Sequence, residues 1–336
     1  MKFAVIGLGS MGKRRIRNLL ANNQKDIIGI DLRQDRCKEA EEKYGVRTYQ
    51  TIDKVEDINN ITAFIISVPP DKHMEYAGRA YEAGIHSFIE ASVVDEGMKE
   101  LIEKSKSNKA IRICPSCTLR FHPSICLIKD MVTSGKIGKI SNFTYHSGQY
   151  LPDWHPWEDI KDFYVSKKET GGCREIVPFE LAWLNWIFGD ISSICGFNEK
   201  TVNLGIDIDD VYASCIKYKN GLTGTLLVDV VSRYAVRRLI LNGLDGQIQW
   251  DWNKKSVEVY LAASGQWEYY HEPEGSVENG YNANIIEEMY INEIGSFIDA
   301  ITGKSEFPNT LEEDYKLLQY LYGIEQANEA GRVQTY

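Results

Sequence analysis

The strongest constraint on this chain sits at its start. Lys2-Phe3-Ala4-Val5-Ile6 is a short apolar run, Gly7-Leu8-Gly9-Ser10-Met11-Gly12 follows at once, and residues 11–21 have helical character. Glycine at this spacing serves three purposes: Gly7 permits a tight turn, Gly9 lets the backbone approach a pyrophosphate, and Gly12 lets helix and strand pack closely. The helix N-terminus, with Leu8, Ser10 and Met11 around it, offers free N–H groups and the positive end of its dipole to phosphates. A second strand-like run ends in Asp31, 19 residues after Gly12. A carboxylate there accepts ribose hydroxyls and repels a 2′-phosphate, whereas Arg33, two residues on, would attract one. The expected cofactor is therefore NAD, with NADP as the alternative.

The same strand–helix grammar continues through the first third. Strand-like runs at 27–31, 63–68, 86–90 and 110–114 alternate with helix-like stretches at 35–44 and 96–107 and after Pro69-Pro70. Helical crossovers between short apolar strands imply a parallel sheet covered on both faces. After Arg120 the pattern changes. A helix near 124–134 and a strand near 139–150 lead into an irregular aromatic stretch, 151–164. Gly171-Gly172 precedes an apolar helix, and strand follows strand from 191 to 270 with turn signals such as Asn220-Gly221 and Asp245-Gly246. Two helical stretches, 285–302 and 311–328, close the chain. The reading is an α/β protein: an N-terminal Rossmann parallel sheet over 1–118, then an α/β domain over 119–336 with an open, mostly antiparallel sheet. The second domain is expected to bind substrate and to drive assembly.

Composition narrows the partners. The formal charge is −10 with no long basic run, which argues against nucleic acid and against an anionic membrane surface. No segment approaches the ~18 apolar residues of a membrane span. Seven cysteines, an odd number, without a secretory layout at the N-terminus, suggest reduced thiols and a cytoplasmic setting. Cys114-Pro115-Ser116-Cys117 has the two-residue gap of a metal or redox pair, but it lacks a second pair and is read as a strand end, so no metal is expected.

These motifs resemble the glucose–fructose oxidoreductase / inositol dehydrogenase / MocA family over nearly the whole sequence. Ser67-Val68-Pro69-Pro70 with His73 looks like that family's turn at the cofactor. Ala83-Gly84-Ile85-His86 followed by Phe88-Ile89-Glu90 looks like its next strand. Arg120-Phe121-His122-Pro123 and residues 134–140 match the opening of its second domain, and Phe188-Gly189 also fits. The resemblance implies cofactor contacts from Ser67, Val68, Pro69, Pro70, His73, Glu90, Ala91 and Arg120. It also implies oxidation or reduction at a hydroxyl or carbonyl of a sugar, sugar phosphate, nucleotide sugar or cyclitol.

The catalytic positions depart from that pattern. The family usually has Glu-Lys-Pro where this chain has Glu90-Ala91-Ser92, so its lysine corresponds to Ala91. The family's Asp and His, four residues apart after its double glycine, become Ile176 and Glu180 in one register, and a shift by one puts Phe179 at the histidine. Removing a hydride from a secondary alcohol needs a base for the hydroxyl proton, typically worth ~10²–10⁴-fold. Replacement candidates lie between Arg120 and Glu180. Glu175 is favoured on position, with His155 as an alternative. Glu180, in an otherwise apolar helix, reads either as a general base or as a structural ion pair. Trp154 and Trp157 flank His155 and suit a sugar face, or else a packed loop. Arg174 could grip an anion, while His122 and Tyr145 are substrate-contact candidates with structural alternatives.

Two other classes remain open at this stage: a non-redox sugar enzyme that retains NAD, and a catalytically inactive cofactor-binding regulatory protein. A homodimer or homotetramer is expected, on the argument that an open sheet face carrying residues 222–231 and 236–242 would be too apolar for water.

Overall fold

The computed structural model describes residues 1–154, 159–277 and 284–336. The chain divides into two units, Met1–Thr118 with Glu288–Lys316, and Leu119–Glu287 with Leu317–Tyr336. A contiguous division at residue 118 leaves out the return of 288–316 to the first unit.

Among the described residues of the first unit, six parallel strands run in the order β3-β2-β1-β4-β5-β6. They are β1 (Lys2–Ile6), β2 (Asp26–Ile30), β3 (Arg47–Tyr49), β4 (Ala63–Ile66), β5 (His86–Ile89) and β6 (Ile113–Pro115). Helices α1 (Ser10–Ala21), α2 (Gln34–Tyr44), α3 (His73–Glu82) and α4 (Met98–Ser105) supply the crossovers. The central strands read as continuous apolar runs because both faces are covered: Phe3, Ala4, Val5, Phe64 and Ile65 are all fully buried. Helix α7 (Glu287–Ile301) joins this unit from far along the chain, and Phe297 packs edge-on against Phe88 of β5.

In the second unit α5 (Pro123–Thr133) leads to β7 (Ile140–Tyr150), then α6 (Cys173–Phe188). The remaining strands are β8 (Ile191–Glu199), β9 (Val211–Tyr218), β10 (Thr223–Asp229), β11 (Val231–Gly243), β12 (Gly246–Asp251), β13 (Ser256–Leu261), β14 (Gln266–His271) and β15 (Gln334–Thr335). The last follows α8 (Leu311–Ala330). The sheet order is β14-β13-β12-β11-β7-β10-β9-β8-β15, antiparallel except for the β7–β10 pair. Helix α6 packs on β9 and β10.

Strand alternation sorts the side chains of this sheet. Tyr145, Leu226, Val228, Leu239, Leu241 and Trp250 are buried, while Thr144, Thr223, Thr225 and Arg238 are exposed. The open face of 222–231 and 236–242 is therefore mixed rather than apolar. Asn142, Asn242 and Gln247 are joined across it by side-chain amide bonds. Leu226, Val228, Leu239 and Leu241 point into the core, while Leu227, Val236 and Ile240 stay half-buried on the open face among these polar residues.

Candidate functional site

In the first unit the β1–α1 loop has the shape its glycines demand. Gly7 adopts φ +89°, and a Cβ there would collide with the Ser67 carbonyl. A Cβ on Gly12 would collide with the carbonyl of Gly7. Gly9 is different: the nearest atom to its would-be Cβ is a guanidinium nitrogen of Arg36, 3.5 Å away. The space over Gly9 is thus open to a diphosphate, and α1 begins there with no side-chain cap and no acid in its first turn.

Asp31 lies just beyond β2. Its Oδ2 accepts the Leu8 N–H at 2.7 Å and its Oδ1 accepts the Arg33 N–H at 2.8 Å. Those bonds fix the carboxylate beside the loop while leaving lone pairs for ribose hydroxyls. The Arg33 side chain is engaged with Asp35, at 2.6 Å. The cation next to Asp31 is instead Arg36, 3.8 Å from Oδ2. The start of α2 carries Arg36 round toward the loop, a cation the sequence did not single out. This donor and acceptor set fits a dinucleotide with free ribose hydroxyls.

The turn after β4 is held from within. The His73 ring meets the Val68 carbonyl through Nε2 at 3.0 Å, and burial pulls the imidazole down to about 4, so it is neutral. His73 therefore shapes residues 68–70 from beneath. Ser67 Oγ donates to Glu90 Oε1 at 3.2 Å. Glu90 is gripped by Arg15 of α1 in a bidentate pair, Nε to Oε1 at 2.7 Å and Nη2 to Oε2 at 2.9 Å. On its other side Arg15 meets Glu293 of α7 at 2.9 Å.

Glu293 is fully buried and accepts from Ser116 Oγ, the Cys117 N–H and Thr118 Oγ1. Burial opposes the charge on Arg15, but the two carboxylates outweigh it and hold its proton more tightly than usual. This buried Glu–Arg–Glu bridge was missed from the sequence. The one local signal is that Arg15 lies three residues after Gly12, on the packed side of α1. Ala91 and Ser92 follow Glu90 and bring no ionisable group. Cys114 is buried, and its thiol is pushed up to about 12, as suits a strand end rather than a reactive pair.

The second unit holds the acids. Gly172, at φ +62°, precedes α6, and a Cβ on Gly171 would collide with the Val165 carbonyl. That missing Cβ lets the short turn Tyr164–Ser166 lie on the first turn of α6. Tyr164 Oη then donates to Glu175 Oε1 at 2.7 Å. Glu175 Oε2 is enclosed, with no hydrogen-bond partner among the described residues. Burial raises this carboxyl to about 7, with the Tyr164 bond opposing the rise.

Glu180 has the opposite surroundings. It is fully buried, and its oxygens accept from Tyr145 Oη, Trp183 Nε1, Ser147 Oγ and Arg237 Nε, each at 2.8 Å. Four donors, one of them the paired guanidinium of Arg237, make it a structural ion pair, and the reading of Glu180 as a general base is corrected accordingly. Tyr145 is closed in the same network and faces the core rather than a ligand.

Three further candidates are also tied inside the unit. Arg174 Nε pairs with Glu325 at 2.6 Å while Nη1 donates to the Glu169 carbonyl, so its fork is not offered to an anion. Arg120 is buried and donates to the Ala182 carbonyl at 3.1 Å. That places its guanidinium against α6. His122 is buried beside the Trp250 ring, and burial pulls it well below its ordinary value. All three are held by internal contacts. Trp154 is half-buried, with its indole N–H enclosed and unpartnered among the described residues. His155 and Trp157 lie outside the described residues.

A glycine cradle with a fixed ribose-side carboxylate, followed by an α/β unit with a broad sheet, defines a dinucleotide-binding oxidoreductase class. Residues 1–112 match the model described as the oxidoreductase family, NAD-binding Rossmann fold, and residues 126–249 match the GFO/IDH/MocA C-terminal domain. The chain belongs to the GFO/IDH/MocA family.

Among its relatives are the myo-inositol 2-dehydrogenase of Thermotoga maritima, 29% identical over 41% of this chain, and the inositol 2-dehydrogenase of Rhizobium meliloti, 22% identical over 91%. The alignments span 42% and 90% of those relatives; that with an uncharacterized oxidoreductase of Rhizobium meliloti, at 29% identity over 42% of this chain, spans 43%. A levoglucosan dehydrogenase solved with NADH shares the fold at a TM-score of 0.86 and 18% identity, over 100% of this chain and 98% of that one.

Proposed function

We propose that the protein is an NAD-dependent dehydrogenase acting on a secondary hydroxyl of a sugar or cyclitol, with Glu175 taking the hydroxyl proton. NAD, when bound, supplies the hydride acceptor. In this reading the Gly7–Gly12 loop and the N-terminus of α1 bind the diphosphate, and Asp31 accepts the adenosine ribose hydroxyls. The Arg15–Glu90 pair fixes the end of β5.

The observation that carries the proposal is the Glu175 carboxyl: one oxygen held by Tyr164, the other enclosed and unpartnered, and an affinity for protons near neutrality. A general base works best when its proton affinity lies near the working pH. The position agrees with the family pattern: in the register that puts Phe179 at the histidine, Glu175 is four residues earlier, at the aspartate. The inositol and levoglucosan dehydrogenases among its relatives and structural neighbours support a polyhydroxylated ring as substrate.

The test is NADH formation with a panel of cyclitols and anhydrosugars, repeated with Glu175→Gln. Substrate-dependent NADH formation that Glu175→Gln lowers by at least ~10²-fold supports the reading. Retained cofactor with no net NADH on any member of the panel would instead favour a non-redox enzyme or a regulatory protein.

A further inference from the structure

We infer that Tyr164 is the positioning residue of the Glu175 carboxyl and assigns its proton-accepting atom to Oε2. The inference rests on the proposal that Glu175 is the base. Its geometric part is tested apart from activity.

The turn that carries Tyr164 is fixed on several sides. Val165 is fully buried, Thr170 Oγ1 donates to the Tyr164 carbonyl at 3.0 Å, and the Gly171 N–H donates to the Lys167 carbonyl at 2.9 Å. Gly171 allows this approach because any side chain there would strike Val165. The backbone that carries the phenol is thereby held beside the first turn of α6. With a donor hydrogen already pointed at Oε1, an incoming proton goes to Oε2, the oxygen without a partner.

Charge does not explain the behaviour of this site. Among the described residues, burial and Tyr164 are the influences on Glu175, and no charged side chain shifts it. On α6 itself, Arg174 is turned to Glu325, and Glu180 is paired with Arg237. Among the described residues Tyr164 is thus the one side chain that acts on the protonation of Glu175, against the larger effect of burial. A donor to the carboxylate favours its ionised form. Loss of that donor should raise the midpoint of Glu175 by about one pH unit, close to a tenfold fall in the ionised fraction on the acid side.

The experiment follows the Glu175 carboxylic acid band by difference infrared titration of the full-length protein with NAD bound. The band is identified by its absence from Glu175→Gln. The expected result is a midpoint near 7 that moves up by about one unit in Tyr164→Phe. The acid limb of kcat/KM with myo-inositol or levoglucosan should move with it, and turnover should recover at higher pH. If Tyr164→Phe does not fold, a ring-fluorinated tyrosine at position 164, a stronger donor of the same shape, must move the midpoint down. An unmoved midpoint with either replacement overturns the role of Tyr164. A midpoint that moves as expected while Glu175→Gln keeps normal turnover upholds the positioning geometry and removes Glu175 from the chemistry.

Discussion

Glu175→Gln should make the protein more stable above neutral pH while removing most of its turnover. The carboxyl is raised from 4.5 to about 7 by burial. At ~1.4 kcal/mol per tenfold in proton affinity, that amounts to about 3 kcal/mol against the ionised fold. The side chain as a whole is only half-buried, so water reaching its stem lowers the figure, and we take ~1–3 kcal/mol.

The sign follows from which state holds the proton more tightly. The folded state does, so this group favours folding fully below pH 4.5, and the contribution is lost as pH rises through 7. Glutamine has no such dependence, although its amide keeps an acceptor for Tyr164. The difference in stability between variant and parent should therefore grow in the variant's favour from pH 5 to pH 8. On a chain of this length that is several degrees in Tm, at ~2–4 °C per kcal/mol. Paired thermal melts at the two pH values, with NADH formation measured alongside, check both halves. Parallel melting curves at the two pH values would refute the claim that Glu175 is protonated in the fold near neutrality.

Three further outcomes follow from the same geometry. Asp31 should make NADH bind more tightly than NADPH, and Asp31→Ala should narrow that gap by about tenfold or more, through loss of charge-assisted bonds, as read by NADH fluorescence titration; equal affinities in the parent would mean that Arg36 dominates. Arg15→Ala should cost ~3–5 kcal/mol in urea denaturation, since it leaves Glu90 and Glu293 facing each other without a cation; a loss under ~1 kcal/mol would show the bridge to be incidental. Glu180→Ala should destabilise by a similar ~3–5 kcal/mol by stranding Arg237, yet keep turnover at temperatures where it stays folded; a folded but inactive Glu180→Ala would return that residue to the chemistry.

The parts legible in the sequence were those fixed by local geometry. The Gly7–Gly12 loop and Asp31 could be read because turn, helix start and strand end follow each other within a few residues, and each glycine has its own steric reason. The change of grammar near residue 118 could be read from periodicity. The Arg15–Glu90–Glu293 bridge could not. Its members are 75 residues or more apart, and charged residues on amphipathic helices look like solvated surface until tertiary packing encloses them. Arg174 and Arg120 looked free for the same reason, since Glu325 and the Ala182 carbonyl approach them only in the folded sheet–helix layer. The Tyr164 turn was hidden because nothing local predicts that Gly171 is spent on Val165 rather than on a ligand.

Helix α6 carries two carboxylates with opposite surroundings. Glu175 and Glu180 are five residues apart, ~140° round the helix, so they must point to different surroundings. Glu180 is fully buried, and Glu175 is half-buried with its Oε2 enclosed. They differ also in the supply of donors. Glu180 faces β7 and β11, where Tyr145, Ser147 and Arg237 converge with Trp183 to fill its lone pairs. Glu175 faces a single phenol and keeps one oxygen without a donor. A carboxylate whose lone pairs are filled by four donors is a fixed part of the fold. A carboxylate with one enclosed, unpartnered oxygen gains a bond by taking a substrate proton. Donor count is therefore what distinguishes Glu175 from Glu180 on α6, and it supports the proposal that Glu175 takes the hydroxyl proton.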